Sequence, residues 1–204
     1  GLSALAISPR ALVDAGIQYL ASYKDGTGKW LDGGTAYELV VPKAKPAAGY
    51  GVMVFVSPVD HFPLTSDFRK ELDRRGLIYI AAYASGNDQN VYKRRVPLAL
   101  HGLAHVMANY EVDPERVFVS GFSGGSRVAQ RLATAYPDVF RAAMLVGGSD
   151  AIGRDGFLPP PADLMALYQT RMRVVVATGR EDTPNRAKDG RSRVTLEAYC
   201  TAGL

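Results

Sequence analysis

The sequence predicts an α/β fold, a mostly parallel twisted sheet with helices on both faces. Three observations predict it. From residue 50 onward, short apolar β-branched runs alternate with helical patterns, as parallel βαβ units do. Each run is apolar on both of its faces, so helices must cover the sheet above and below. The 204 residues are 47% hydrophobic and 22% charged, an ordinary globular balance. No apolar run approaches the ~18 residues that a bilayer span requires, which excludes membrane insertion.

The elements follow in chain order. Ser8-Pro9 reads as an N-cap and first helical residue, opening a helix to about Tyr23; a Gly-rich turn region containing Trp30 follows. Thr35 to Val41 reads as an edge strand stopped by Pro42. Strands are then expected at Gly51 to Val56, Leu77 to Tyr83, Arg116 to Ser120, Ala142 to Val146 and Met172 to Ala177. Helices fit between and after them, at Thr65 to Arg75, about Pro97 to Tyr110, Gly124 to Ala135, Ala162 to Thr170 and Asn185 to Thr201. In the second, Leu100, Leu103, Met107 and Tyr110 recur at helical spacing and are expected to face the sheet. No repeat, linker or domain boundary is visible, so residues 1–204 are expected to form one domain.

Charge and cysteine content say little about partners. A formal charge of +4, from 24 basic and 20 acidic residues, is spread along the chain and does not indicate nucleic acid. The one basic knot, Lys93-Arg94-Arg95, reads as a solvated loop or helix start. Cys200 is the single cysteine, so no disulfide can form within the chain. The compartment stays open: the start at Gly1 rather than Met fits a trimmed chain or a processed export precursor.

Gly121-Phe122-Ser123-Gly124-Gly125 matches G-x-S-x-G. The bare pattern would arise by chance in roughly 0.1 of such sequences, so its context decides. Val117-Phe118-Val119 runs straight into it as a strand, and Ser126-Arg-Val-Ala-Gln-Arg-Leu-Ala runs out as a helix. That is the setting of a nucleophilic serine on a tight strand-to-helix turn, where bulkier neighbours would clash. A serine hydroxyl attacks a carbonyl only when a base takes its proton. The helix start offers free N–H groups and a positive dipole end to the resulting oxyanion.

The run Tyr110-Glu-Val-Asp-Pro-Glu-Arg-Val-Phe-Val-Ser-Gly-Phe-Ser-Gly-Gly, followed by Ala135-Tyr-Pro-Asp-Val-Phe-Arg-Ala-Ala, resembles the polyhydroxybutyrate-depolymerase and feruloyl-esterase-like branch of the α/β-hydrolases. The resemblance covers roughly residues 50 to 204 and is strongest around Ser123. It implies an α/β-hydrolase-type fold and a Ser-His-Asp mechanism with no cofactor and no metal. The substrate it implies is a carboxylic ester, small or polymeric. It places the acid on Asp182, in a Gly-x-x-Asp-Thr turn beginning at Gly179, with Glu181 as the rival and helix capping as the alternative role of Asp182. It places the oxyanion donors on the Gly124 amide and in the segment Ser57-Pro58-Val59-Asp60, which departs from the family's His-Gly pair. Pro58 has no N–H, so Val59 is the expected second donor.

In this fold the triad order is serine, acid, histidine. His61, His101 and His105 all precede Ser123, and no histidine follows Asp182. One more strand, a histidine loop and a closing helix are therefore expected beyond Leu204, the chain being a C-terminally incomplete domain; the alternative is a degenerate hydrolase that binds without turnover. His61 and Phe122 are expected to line the pocket, as is Asn87 or Asp88 in the loop after the Leu77 to Tyr83 strand. His101 and His105 stand at i, i+4, but no Glu follows His101 and no third ligand is evident, so no metal site is expected there. A serine peptidase of the same fold and an inactive binding protein are the competing functional readings. A dinucleotide-binding fold is disfavoured, since no G-x-G-x-x-G follows the first strand.

Overall fold

Local sequence places most of the element boundaries. Thr65 Oγ1 accepts the Phe68 amide at 3.3 Å and starts helix α1, Ser66–Arg75, which ends at Gly76 in a left-handed conformation with φ 58°. The structure of the chain, a computed structural model, is described for residues 36–153 and 157–179. The expected helices at Ser8 to Tyr23 and Asn185 to Thr201, with Trp30, Cys200, Glu181 and Asp182, lie outside the described residues.

Within them the chain forms β1 (Tyr37–Val40), β2 (Tyr50–Val56), α1, β3 (Leu77–Ala82), a π-turn (Val91–Arg95), α2 (Val96–Asn109), β4 (Val112–Phe122), α3 (Gly124–Ala135), β5 (Ala142–Val146), α4 (Ala162–Arg171) and β6 (Arg173–Ala177). The six strands are ordered β1-β3-β2-β4-β5-β6. All pairings are parallel except the antiparallel pairing of β1 with β3. The strand and helix positions match the expectations to within a residue or two, except that β4 begins four residues earlier, at Val112. The π-turn was not foreseen.

Strand alternation divides the core. Val52, Val54, Val56, Ile78, Ile80, Val117, Val119, Ala143 and Leu145 pack one face of the sheet with α2 and α3. Leu72 of α1 packs with Tyr79, Met53, Phe55 and Phe118 on the other. Helix α2 lies close over β1 and β3: a Cβ on Gly102 would stand 2.9 Å from Tyr37 Cε1, and Tyr37 donates its hydroxyl to Leu98 O at 2.8 Å.

The helix-face expectation for α2 needs one correction. Leu100 and Leu103 are buried, but Met107 is 38% exposed. Val96, Ala99 and Val106 join Leu100 and Leu103 on the buried side, and Tyr110 is partly buried against the same core.

The residues around Ser123 that carry the family resemblance are scaffold. Tyr136 and Phe140 are fully buried, and both the Val139 and Phe140 amides return to Tyr136 O at 3.0 Å. Arg141 makes a paired contact with Glu115, Nε to Oε2 and Nη2 to Oε1, each 3.0 Å, and so ties the end of this turn to the start of β4. Among the described residues no helix is long and apolar enough to cross a membrane.

Candidate active site

The parallel strands β2, β3, β4 and β5 all end at one edge of the sheet, and the loops there converge on Ser123. Ser123 occupies φ 52°, ψ −121° between β4 and α3, a conformation that L residues rarely hold without compensation. Ser123 N–H donates to Val146 O of β5 at 2.7 Å, and its carbonyl accepts from Ser126 N and Ser126 Oγ at 3.1 and 2.7 Å. All these bonds use its backbone, and the side chain stands at a half-buried position. Ser126 N–H is thereby satisfied, while the Gly124 and Gly125 amides, first and second of α3, have no acceptor within the helix.

The glycines of the motif are fixed by contact. A Cβ on Gly121 would stand 2.5 Å from Gly125 C and O. One on Gly125 would overlap the Val56 carbonyl oxygen and stand 2.8 Å from Val56 C and 3.0 Å from Ser57 C. At Gly124 the obstacle is a side chain: Asn87, whose Cγ would be 2.7 Å away. Asn87, expected from the sequence to reach the pocket, therefore lies against Gly124, the first residue of α3.

The segment expected to supply the second oxyanion donor is folded on itself. Val59 N–H donates to Ser57 Oγ at 3.0 Å, and the Ser57 hydroxyl turns back to Val59 O. Across from it, Asn87 N–H donates to Pro58 O at 2.9 Å and Ala84 N–H to Asp60 O at 3.0 Å. Val59 and Asp60 are exposed, as are Asn87 and Asp88.

His61 takes a position on the β1 side of this edge. Its ring stacks on Tyr83, centroids 4.6 Å apart, and its Nε2 lies 3.5 Å from Glu38 Oε2. Glu38 is buried on β1 and also holds Arg69 Nη2 at 2.6 Å. An acid on an edge strand gave no sequence signal for this contact. His101 is partly buried on α2, and burial pushes its imidazole below the ordinary range. Among the described residues no three His, Cys, Asp or Glu side chains gather as a metal-binding group.

Phe122 is 40% exposed and packs on Phe62 with ring centroids 5.6 Å apart. The two border an apolar cavity of about 250 Å³, with Phe55, Leu64, Phe68 and Met144.

The basic knot is a helix start, one of the two readings its sequence offered, but it is solvated only in part. Arg95 is 3% exposed, and Arg94 donates from Nε to Ala84 O at 2.9 Å; only Lys93 and Tyr92 of this turn face solvent fully. The chain turns both arginines onto loop carbonyls.

On the β5 side, Asp150 fastens its loop to α3. Arg131 Nη1 reaches Asp150 Oδ2 at 2.7 Å and Arg127 Nε stands 3.5 Å from Oδ1. Gln130 pairs with the Asp150 backbone through both ends of its amide, at 2.7 and 2.8 Å. The carboxylate is thus engaged by cations of the scaffold. Asp150→Ala is expected to cost roughly 3 kcal/mol, because it leaves two arginines without their partner; a urea denaturation midpoint checks it.

No family model matches the chain. By sequence it is 31% identical over 98 residues to an acetylxylan esterase of Coprinopsis cinerea, covering 42% of this chain and 26% of the relative. It is 41% identical over 44 residues to poly(3-hydroxyalkanoate) depolymerase C of Paucimonas lemoignei, covering 22% of this chain and 11% of the relative. The chain therefore spans about a quarter or less of the length of these relatives. A solved acylaminoacyl peptidase superposes with a TM-score of 0.60 at 14% identity, over 89% of this chain and 35% of that one, a likeness of fold alone. The chain has the α/β-hydrolase fold, and its sequence likeness lies with the esterase-like branch of that fold.

Proposed function

We propose that the chain is part of a serine hydrolase that cleaves carboxylic esters by acyl transfer. The observation that carries this reading is Ser123 itself, held at φ 52° on the turn between β4 and the first residue of α3. Ser123 Oγ attacks the ester carbonyl while a histidine, supplied from sequence following Leu204, takes its proton. The tetrahedral intermediate expels the alcohol, which receives that proton, and leaves an acyl group on Ser123. Water, activated by the same histidine, then releases the acid and restores the serine. Asp182, with Glu181 as its rival, orients the imidazole. No cofactor takes part.

The Gly124 amide receives the oxyanion. Val59 N–H joins it by exchanging its bond to Ser57 Oγ for one to the substrate. Asn87, against Gly124, flanks the reacting carbonyl, Phe122 presents an apolar wall to one side of the ester, and His61, held by Tyr83 and Glu38, lines the outer, β1 side of the site. The relatives' names, an acetylxylan esterase and a poly(3-hydroxyalkanoate) depolymerase, favour an ester substrate, either small or polymeric.

The expected result is that the full-length protein hydrolyses short p-nitrophenyl esters far faster than aminoacyl p-nitroanilides. Preference for the amides would favour a peptidase. Binding without turnover of either would mark the protein as an inactive hydrolase-like domain and overturn the proposal.

A further inference from the structure

We infer that Arg95 is a positioning residue that sets the two loops framing the oxyanion site, an assignment that rests on the serine-hydrolase reading. Its guanidinium donates from Nη2 to Ser57 O at 2.7 Å and from Nε to Ser85 O at 2.8 Å. One side chain thus grips the peptide groups that follow β2 and β3, 38 and 10 residues away in sequence. Among the described residues no carboxylate is bonded to it. Asp88 is the acidic group whose field acts on it, and burial works against its charge. Two carbonyl oxygens, both engaged by donors of a rigid planar fork, are what keep a buried cation in place here.

The gripped atoms stand beside the reacting site. Ser57 carries the hydroxyl that holds the Val59 amide, and its carbonyl carbon is one of the atoms a Cβ on Gly125 would meet, at 3.0 Å. Ser85 precedes Gly86 and Asn87, and Asn87 lies against Gly124. The peptide that Arg95 holds at Ser57 leads into Pro58, which has no N–H with which the loop could be held from its own backbone. The clamp therefore fixes the spacing between the Gly124 amide, in α3, and the Val59 amide, in the β2 loop.

The local chain explains why the arginine points inward. Asn90 Oδ1 accepts from Tyr92 N and Lys93 N at 3.1 and 2.8 Å. The amides of Arg94 and Arg95 both return to Asn90 O at 3.1 Å, so the turn is widened by one residue before α2 begins. That extra residue rotates Arg95 to the protein side, where a regular turn would present it differently. Arg94 meanwhile holds Ala84, the other described non-glycine residue besides Ser123 at positive φ, at 46°.

An oxyanion donor displaced by a fraction of an ångström weakens the transition state more than it weakens substrate binding. In the full-length protein, Arg95→Met is expected to lower kcat on p-nitrophenyl esters about 10²-fold with KM within about threefold of wild type. Affinity for an alkylboronic acid, whose tetrahedral adduct places an oxygen in the oxyanion site, should fall in parallel. Arg95→Lys, which keeps the charge but can reach only one of the two carbonyls, should lie between Met and wild type, and it carries the test if the Met variant fails to fold. Unchanged kcat in a folded variant, or a loss confined to KM, would overturn the assignment while leaving the hydrolase reading intact. Absence of turnover by the wild-type protein would overturn both.

Discussion

Gly125→Ala is expected to cost about 3 kcal/mol of stability or more, the largest single effect of any substitution at the turn. The added methyl would enter the Val56 carbonyl and press on Val56 C at 2.8 Å and Ser57 C at 3.0 Å. These are backbone atoms of the last residue of the central strand β2, which lies between β3 and β4, and of the residue just after it, so they cannot move aside cheaply. Gly121→Ala should behave similarly, since its methyl would meet the Gly125 carbonyl group at 2.5 Å and Ser126 N at 2.7 Å. Gly124→Ala should differ: its obstacle is the exposed Asn87 side chain, which can rotate away, and alanine suits a helix better than glycine. A cost under about 1 kcal/mol is expected there. Urea midpoints of the three variants give the order directly; equal costs would show that overlap with β2 does not govern the turn.

Ser123 itself should show activity and stability pulling in opposite directions. At φ 52°, ψ −121° the residue sits where glycine is at ease and other residues are strained, a cost of about 1 to 3 kcal/mol. Ser123→Gly is expected to stabilise the fold by about 1 kcal/mol after the entropy that glycine gains in the unfolded chain is deducted. Ser123→Ala keeps the strain and should change stability by less than about 0.5 kcal/mol. Both should abolish turnover, by at least ~10⁴-fold, since nothing else can form the acyl intermediate. Loss of stability in Ser123→Gly would mean that the strain is not there.

Much of this was legible in the sequence because the turn obeys local rules. Strand periodicity into Gly121 and helical periodicity out of Gly124 predict both elements and the position of Ser123 between them. Tyr136, Phe140 and Arg141 are recognisable as part of a family pattern, and the structure supplies the physical reason: two buried rings and a paired contact to Glu115. Three features were not legible. The widened turn at Val91–Arg95 has no distinct propensity signal, and without it the burial of Arg95 cannot be read. The ring of His61 finds Glu38 on β1 and Tyr83 just past β3, a contact between distant residues that spacing alone does not encode. Ser57 looks like an ordinary loop residue until its hydroxyl is seen bridging Val59. The acid assigned by resemblance, Asp182, lies outside the described residues.

The central claim is that Ser123 is an activated nucleophile. Treating the full-length protein with a fluorophosphonate and mapping the modified peptide tests it most directly. The account predicts a single phosphonylated residue, Ser123, and no labelling of Ser123→Ala; failure to label the wild-type protein, or a label placed on another residue and retained in Ser123→Ala, would contradict it.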